Sequence, residues 1–137
     1  MLAQSLLPKK NCQFYLSSKG YSMKHTTHND HAININETFG VGQIECEYET
    51  LISVFGPPLK DGFDDYKCDA EWHIQFADGS VASIYNWKNG YNYLGSAGIP
   101  TSQIRNWNVG GRDKHALDRI KTSIMEFTHV EKATSNI

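Results

Sequence analysis

The clearest structural signal in the chain is Ala70-Glu-Trp-His-Ile-Gln-Phe-Ala-Asp-Gly-Ser-Val-Ala-Ser-Ile-Tyr-Asn-Trp87. Apolar and polar side chains alternate through its first seven residues, which predicts a strand with one buried face. Asp78-Gly79 favours a tight turn because both residue types tolerate positive φ, and a second alternating run follows it. We therefore expect an antiparallel β-hairpin over residues 70–87, and we place the other elements around it.

The alternation also assigns the hairpin's side chains to two faces, since successive strand residues point to opposite sides. In the first strand, Ala70, Trp72, Ile74 and Phe76 alternate with Glu71, His73 and Gln75. In the returning strand, Ala82, Ile84 and Asn86 share one side, and Val81, Ser83, Tyr85 and Trp87 share the other. We expect Tyr85 and Trp87 to lie on the face opposite the small and aliphatic side chains. We expect His73 to be exposed to solvent, although a histidine there would also suit an acid or base role.

Two more strands and two helices are predicted around the hairpin. The second of these strands is a short one within residues 101–109, after a single turn of helix. Residues 39–48 alternate as a strand does, and residues 48–55 carry apolar side chains at helical spacing before Gly56 and two prolines. The main helix is predicted over residues 112–130, with Asp113 as its cap. Directly before the main helix, Gly110-Gly111 is expected to interrupt the regular secondary structure. The expected fold class is α+β, with a small antiparallel sheet packed against one long C-terminal helix and one short helix.

Composition divides the chain into three parts. Residues 1–38 are rich in Ser, Lys, Asn, Thr and His and show no sustained period, so we expect a flexible N-terminal extension. Residues 39–131 are predicted to form a single domain, and residues 132–137 a frayed tail.

Charge and hydrophobicity exclude several classes of partner. The chain has 137 residues, with 13 basic and 15 acidic side chains and a net charge of −2, which argues against a long nucleic acid as partner. Aromatic residues make up 12%, too many for a disordered chain. No apolar run approaches the ~20 residues that a membrane-spanning helix needs, so no membrane partner is expected.

The three cysteines, Cys12, Cys46 and Cys68, are odd in number and widely spaced. A secreted disulfide framework would show an even and denser set, so we expect thiols in a reducing compartment. The basic pair Lys9-Lys10 follows the first apolar residues, which is the reverse of the order in a signal peptide. We therefore expect a cytoplasmic location.

No catalytic residue, metal site or cofactor is predicted. The chain contains no phosphate-binding loop, nucleophile elbow or zinc-protease motif. His25, His28 and His31 would not converge on one ion if they lay on a helix. The acidic run from Asp61 to Glu71 does not have the order of a calcium-binding loop, so we expect a solvated loop there.

The richest constellation is Tyr85-Asn-Trp-Lys-Asn-Gly-Tyr-Asn-Tyr93, which holds four aromatic rings, three amides and one lysine. Rings can stack on bases, amides can bond base edges and lysine can meet a phosphate. The predicted ligand-binding residues are Lys67, Tyr85, Asn86, Trp87, Lys88, Tyr93, Arg105, Trp107, Gly110, Gly111 and Arg112. We expect the two glycines to let the backbone approach a ligand closely. The alternative is that the tryptophans belong to an ordinary core.

Several motifs of the chain resemble those of a widespread family of small phage-encoded proteins. The resemblance covers roughly residues 40–130 and rests on Tyr48-x-x-Leu-x-x-x-Phe-Gly-x-Pro, Asp69-Ala-Glu-Trp, Phe76-x-Asp-Gly-x-Val-Ala-x-Ile-Tyr-Asn-Trp-Lys-x-Gly, Asn92-Tyr-Leu-Gly and Trp107-x-x-Gly-Gly. The pattern is similar to that of the anti-CBASS sponges, viral proteins that sequester the cyclic nucleotide signals of bacterial anti-phage immunity. The chain departs from it in its first 38 residues and at Asn108, where a histidine would be usual.

The resemblance implies a phage counter-defence protein that binds a small cyclic dinucleotide without cleaving it, as a homo-oligomer, either a dimer or a tetramer. In that case Tyr85, Trp87 and Tyr93 would stack on bases, and Lys88, Arg105 and Arg112 would meet phosphates. Two alternatives stay open. One is an interaction protein that inhibits a host defence enzyme through its surface. The other is an enzyme that degrades the signal with His73, Glu71 or Asp69.

Overall fold

Five antiparallel strands and three helices make up the fold in a computed structural model, which describes residues 23–135. The elements in chain order are β1 His25–Thr27, β2 Phe39–Glu45, α1 Tyr48–Phe55, β3 Glu71–Phe76, β4 Val81–Tyr85, α2 Tyr91–Leu94, β5 Asn106–Gly111 and α3 His115–Ser135. Short 3-10 turns occupy Gly95–Ala97 and Thr101–Gln103. The strands form one sheet in the order β1-β3-β4-β5-β2. The predicted α+β class is confirmed.

The central hairpin of this sheet is the one predicted from the sequence. Strands β3 and β4 pair with Ile74 opposite Ala82, and Gly79 takes a positive φ of 89° in the turn between them. This conformation favours glycine because it has no Cβ to clash with the backbone. The apolar face of the hairpin is buried as expected, with Trp72 and Ile84 both at 0% exposure.

The core lies between one face of the sheet and helices α1 and α3. Trp72 and Trp107 meet edge to face at the middle of it, with ring centroids 5.4 Å apart, a favoured aromatic geometry. Helix α3 contributes Ala116, Ile120 and Ile124. Burial of these apolar side chains removes one face of the sheet from water. The polar side chains of the strands therefore lie on the opposite face.

The ends of both long helices follow from local chemistry. Helix α1 stops at Gly56, whose φ of 83° ends the helix while its N–H donates to the Ile52 carbonyl at 2.8 Å. At the start of α3 the Asp113 carboxylate accepts a hydrogen bond from the His115 N–H at 2.8 Å. That contact fits the predicted capping role of Asp113.

Three sequence predictions are corrected by the structure. The extension predicted over residues 1–38 includes β1, which pairs with β3, while residues 1–22 lie outside the described residues. Helix α3 continues to Ser135 and so includes most of the predicted tail of residues 132–137. Gly110 and Gly111 continue β5 rather than interrupting the chain. Strand pairing over long sequence distances, which has no local signature, decides the first and third of these.

Candidate functional site

The face of the sheet opposite the core carries a row of polar side chains. Glu71 lies opposite Tyr85, and His73 lies opposite Ser83, in the β3–β4 pairing, and Gly110 of β5 is next to Ser83. We call this surface the polar face. The alternation in the sequence placed Tyr85 on this side correctly, because a strand's side chains change sides at every residue.

Residues 28–38, which we call the overlying segment, cross this polar face and cover part of it. The His28 ring meets the His73 ring edge-on with centroids 6.4 Å apart, and His31 Nε2 lies 3.0 Å from Gln75 Oε1. Two residues near the segment's end, Ile35 and Thr38, line a cavity together with strand residues. The segment therefore turns an open sheet face into a partly covered pocket.

His28 is one of the anchors of this segment, and its hydrogen bonds define its tautomer. The backbone N–H of His73 donates to His28 Nδ1 at 3.3 Å, and His28 Nε2 donates to the Pro57 carbonyl at 3.0 Å. These two contacts fit the tautomer that carries its ring proton on Nε2. His25, by contrast, packs against Phe55 on the core side. His25, His28 and His31 therefore each contact a different part of the protein.

The cavity between the overlying segment and the sheet has a volume of about 200 Å³. Its lining combines aromatic, acidic and small polar side chains: Ile35, Thr38, Phe39, Asp64, Cys68, Glu71, Ser83, Tyr85, Trp87 and Gly110. A cavity of ~150 Å³ is known to hold a single benzene ring in a protein interior. The space therefore fits one planar ring system.

Glu71 and His73 form a closely bonded pair on the polar face. His73 Nε2 lies 2.7 Å from Glu71 Oε2, and the two side chains are 10% and 12% exposed. The prediction that His73 is exposed to solvent is therefore wrong. The reason is the overlying segment, whose His28 ring covers His73, and no feature of the hairpin sequence indicates that cover.

Two further cavity residues have raised pKa values. Burial, followed by the negative charge of Glu71, raises the pKa of the Tyr85 hydroxyl above 10, so the group stays protonated. Burial, followed by the nearby carboxylates, raises the pKa of the Cys68 thiol to about 12. A thiol with such a pKa is not a thiolate nucleophile at neutral pH.

At the edge of the cavity lies an exposed group of aromatic rings and lysines, which we call the Trp87 cluster. Its members are Tyr66, Lys67, Trp87, Lys88 and Tyr93. The ammonium groups of Lys67 and Lys88 lie 5.3 Å and 5.8 Å from the centroid of the Trp87 ring. Lys88 also lies 5.3 Å from the Tyr93 ring, and Tyr66 packs against Tyr93 at 5.2 Å. The three lysine-to-ring distances are typical of cation–π interactions.

Backbone contacts bring the two halves of this cluster together. The Lys88 N–H donates to the Lys67 carbonyl at 2.8 Å, and Lys88 has a left-handed φ of 60° that redirects the chain after Trp87. Asp69 and Asn92 hold the same two loops, with the Asn92 N–H donating to Asp69 Oδ2 at 3.1 Å. The predicted residues Lys67, Trp87 and Lys88 are thus assembled by loop contacts.

Asn86 was predicted to bind a ligand, but all its hydrogen-bonding capacity is used inside the protein. Its side chain is 0% exposed, and its oxygen accepts from the N–H groups of Asp69 and Ala70 at 2.8 Å and 3.0 Å. Its amide nitrogen donates to Asp69 Oδ1 and Asn89 Oδ1, each at 2.9 Å. A carboxamide with four such bonds has none left for a ligand. Asn86 therefore supports the site from below.

Trp107 and Arg105 do not join the Trp87 cluster. Trp107 is buried in the core, where its indole N–H donates to the Cys46 carbonyl at 2.9 Å. Arg105 forms ion pairs with Glu47 at 3.3 Å and with Glu45 at 4.0 Å. Arg105 comes directly before β5, and Trp107 is its second residue and lies opposite Ile44 of β2. The Trp87 cluster, by contrast, includes residues that follow the end of β4.

The two predicted glycines and Arg112 have three separate roles. A Cβ on Gly110 would come within 2.6 Å of Ser83 Oγ, on the cavity side, while one on Gly111 would overlap the Ala116 Cβ in the core. Only Gly110 lines the cavity. The Arg112 guanidinium donates to the carbonyls of Asn36 and Asn34, each at 3.0 Å. It therefore holds the overlying segment in place.

Several cavity residues were not among the predicted ligand-binding residues, although Glu71 was named for the alternative of an enzyme. Glu71 and Ser83 lie on the same strand faces as Tyr85, so the alternation could have grouped them with it. Ile35, Thr38 and Phe39 lie far away in sequence, and nothing local places them beside β4.

No metal-holding group of three or more His, Cys, Asp or Glu side chains occurs within residues 23–135. None of the helices in that range is long and apolar enough to cross a membrane. In comparisons with known proteins, the chain matches no protein-family model, and no curated protein is significantly similar to it.

Proposed function

We propose that the chain binds a small nucleotide at the Trp87 cluster and the adjoining cavity, and that it sequesters the ligand without cleaving it. One observation carries this proposal: two lysine ammonium groups lie 5.3 Å and 5.8 Å from the centroid of an exposed tryptophan ring, at the edge of a cavity of ring size. Trp87 is 43% exposed and also lines the cavity.

The cluster matches the two chemical parts of a nucleotide. A base can stack on the exposed indole or phenol rings, which present a π-face to any base. The ammonium groups of Lys67 and Lys88 supply point charges for a phosphate. A net charge of −2 for the whole chain does not oppose this, since a small ligand needs only a few local cations.

The size of the cavity bears on the number of subunits. Its volume of about 200 Å³ lies below the ~300–1,000 Å³ of pockets that enclose a whole drug-sized ligand. One cavity would therefore take one base. A cyclic dinucleotide, the ligand that the motif resemblance implies, has two bases and an approximate two-fold axis. We propose that two copies of the chain share it, one cavity for each base.

Sequestration needs no covalent step and acts by mass action. A protein in excess over a signal lowers its free concentration below what the signal's receptor needs. In the cytoplasm of an infected bacterium, this would keep a cyclic nucleotide signal from activating its receptor. That is the counter-defence role that the resemblance implies. The raised pKa of Cys68, about 12, leaves the nearby thiol unreactive and suits a binder.

The proposal is tested by ligand recovery. The full chain is incubated with a panel of cyclic mononucleotides and dinucleotides, separated from free ligand and then denatured by heat. Recovery of intact nucleotide in stoichiometric amount is the expected result. A cleaved product would replace the proposal by an enzyme, for which the Glu71–His73 pair would be the first candidate. Binding of no nucleotide in the panel would overturn the proposal.

A second candidate function is inhibition of another protein by direct contact. Large apolar side chains are exposed at Tyr66 of the Trp87 cluster (61%) and, outside the cluster, at Tyr91 (49%), Leu94 (45%) and Ile99 (41%). Tyrosine and other aromatic side chains are enriched at protein interfaces. This candidate would gain support if no nucleotide binds and a host protein is retained by the wild-type chain but not by a Tyr66→Ala variant.

A further inference from the structure

The cavity contains a nearly buried carboxylate with spare acceptor capacity. The Glu71 side chain is 12% exposed and lines the cavity, and His73 Nε2 lies 2.7 Å from its Oε2. Among the described residues, His73 is the partner that bonds the carboxylate of the Glu71 side chain. A carboxylate has two oxygens and about four acceptor positions, so most of its capacity is unused.

An ionised carboxylate only accepts hydrogen bonds, so it favours a ligand edge made of donors. Among the bases, guanine presents two adjacent donors, the ring N1–H and the exocyclic N2 amino group. Adenine presents one amino group beside a ring nitrogen lone pair, which a carboxylate would repel. Trp87 and Tyr85 border the same cavity and offer ring faces to a planar base. The cavity thus combines the stacking surfaces and the acceptor that guanine needs.

The location of the positive charge supports the same orientation. Lys67 and Lys88 lie beside the Trp87 ring and do not line the cavity, whereas Glu71 and Asp64 do. The Lys67 ammonium group lies 3.8 Å from the Asp64 carboxylate, so it is at the edge of the cavity. A phosphate would therefore stay with the lysines and a base would enter the cavity. We propose that Glu71 makes the site selective for guanine nucleotides, through bonds from the N1–H and N2 amino groups to its carboxylate. This inference rests on the proposed nucleotide-binding function.

A ligand series on the wild-type chain tests the inference without any mutation. The probes are cyclic GMP, cyclic IMP and cyclic AMP, titrated by calorimetry. Hypoxanthine keeps the N1–H but lacks the N2 amino group, so cyclic IMP isolates that donor. A good bidentate contact discriminates bases by about tenfold or more. We expect cyclic GMP to bind most tightly, with cyclic IMP and cyclic AMP each weaker by about tenfold or more.

A matched pair of variants tests the residue. Glu71→Gln replaces the carboxylate by an amide of the same shape and keeps an oxygen for His73, so we expect the fold to persist. It should lower cyclic GMP affinity by about tenfold and remove the preference over cyclic AMP. Asp61→Asn makes the same change of charge on an exposed loop residue outside the cavity lining and should leave both affinities unchanged.

The outcomes separate this inference from the proposed function. Equal affinity for the three nucleotides would overturn the guanine preference and leave nucleotide binding intact. Preference for guanine that survives in Glu71→Gln would overturn the role of Glu71. Failure of all guanine and adenine nucleotides to bind would overturn both the inference and the function on which it rests. If Glu71→Gln does not fold, the ligand series on the wild-type chain decides.

Discussion

The ammonium group of Lys67 lies 5.3 Å from the centroid of the Trp87 indole ring. The two residues belong to different loops, which the backbone hydrogen bond from Lys88 to Lys67 and the contact of Asn92 with Asp69 hold together. A cation over an aromatic face is attracted by the ring's quadrupole. This arrangement places a positive charge and a stacking surface side by side, and the first two predictions concern it.

Trp87→Ala should weaken nucleotide binding because it removes the exposed ring beside which both lysines lie. Stacking on one aromatic ring contributes about 1–3 kcal/mol for each base. We expect a loss of affinity of that size by calorimetry, with little change in the free energy of unfolding because the ring is 43% exposed. Tyr91→Ala removes an aromatic ring of similar exposure outside the cluster and should bind normally. Equal losses in the two variants would contradict the prediction.

Lys88→Gln should weaken binding and make it less sensitive to salt. Lys88 lies near both the Trp87 and Tyr93 rings. Its charge is therefore placed to bind the phosphate of a nucleotide whose base stacks on one of these rings. Contacts between exposed charges are screened by added salt. Dissociation constants measured at low and high salt should therefore differ less for the variant than for the wild type. Lys60→Gln, in an exposed loop outside the cluster, should retain the wild-type salt dependence.

Asn86→Ala should destabilise the fold and also disorganise the site. The change leaves the N–H groups of Asp69 and Ala70 without their acceptor, in a place that is fully buried. A buried polar group left unsatisfied costs about 1–3 kcal/mol, and two are affected. We expect a loss of about 2 kcal/mol or more in urea unfolding. Asn108→Ala removes one exposed hydrogen bond to Gln43 and should cost less than about 0.5 kcal/mol.

Gly111→Ala should destabilise the protein by overpacking the core. A Cβ at this position would overlap the Ala116 Cβ of helix α3, so the helix or the strand must move. Overpacking of this kind costs about 1–3 kcal/mol. Gly40→Ala is the matched control in the same sheet, since its Cβ would meet the Tyr85 hydroxyl at an ordinary 3.9 Å. Melting temperatures that fall equally in both variants would argue against the steric explanation.

The imidazole of His25 should make stability depend on pH. Burial lowers its pKa below 6.5, while the Val54 backbone and the charge of Asp30 partly oppose the shift. The unfolded chain therefore binds this proton more tightly than the folded chain. The contribution of His25 to the free energy of unfolding is fully present above pH 6.5 and is lost as the pH falls through the lowered folded pKa.

Urea unfolding at about pH 8 and about pH 5.5 measures this contribution. His25→Gln should lose less stability between the two pH values than the wild type does. His115→Gln, at an exposed residue, should lose as much as the wild type. A wild-type loss that persists unchanged in His25→Gln would assign the pH dependence to other groups.

The sequence alone determined the hairpin, its turn and its buried face. Period-two alternation and Asp78-Gly79 are local signals, and they predicted the burial of Trp72 and Ile84 correctly. The same local chemistry predicted the end of α1 at Gly56. Tyr85 was also assigned to the correct face, because a strand leaves its side chains no other choice once one face is buried.

Only the tertiary structure decided which aromatic and basic residues share a site. Trp107 and Trp87 are the same residue type, yet the pairing of β5 with β2 places Trp107 in the core, while Trp87 lies beyond the end of β4. The cover that Ile35 provides for the cavity depends on a crossing of the sheet between residues far apart in sequence. Such contacts are chosen by the packing of the whole chain, since no local pattern of alternation or turn chemistry specifies them.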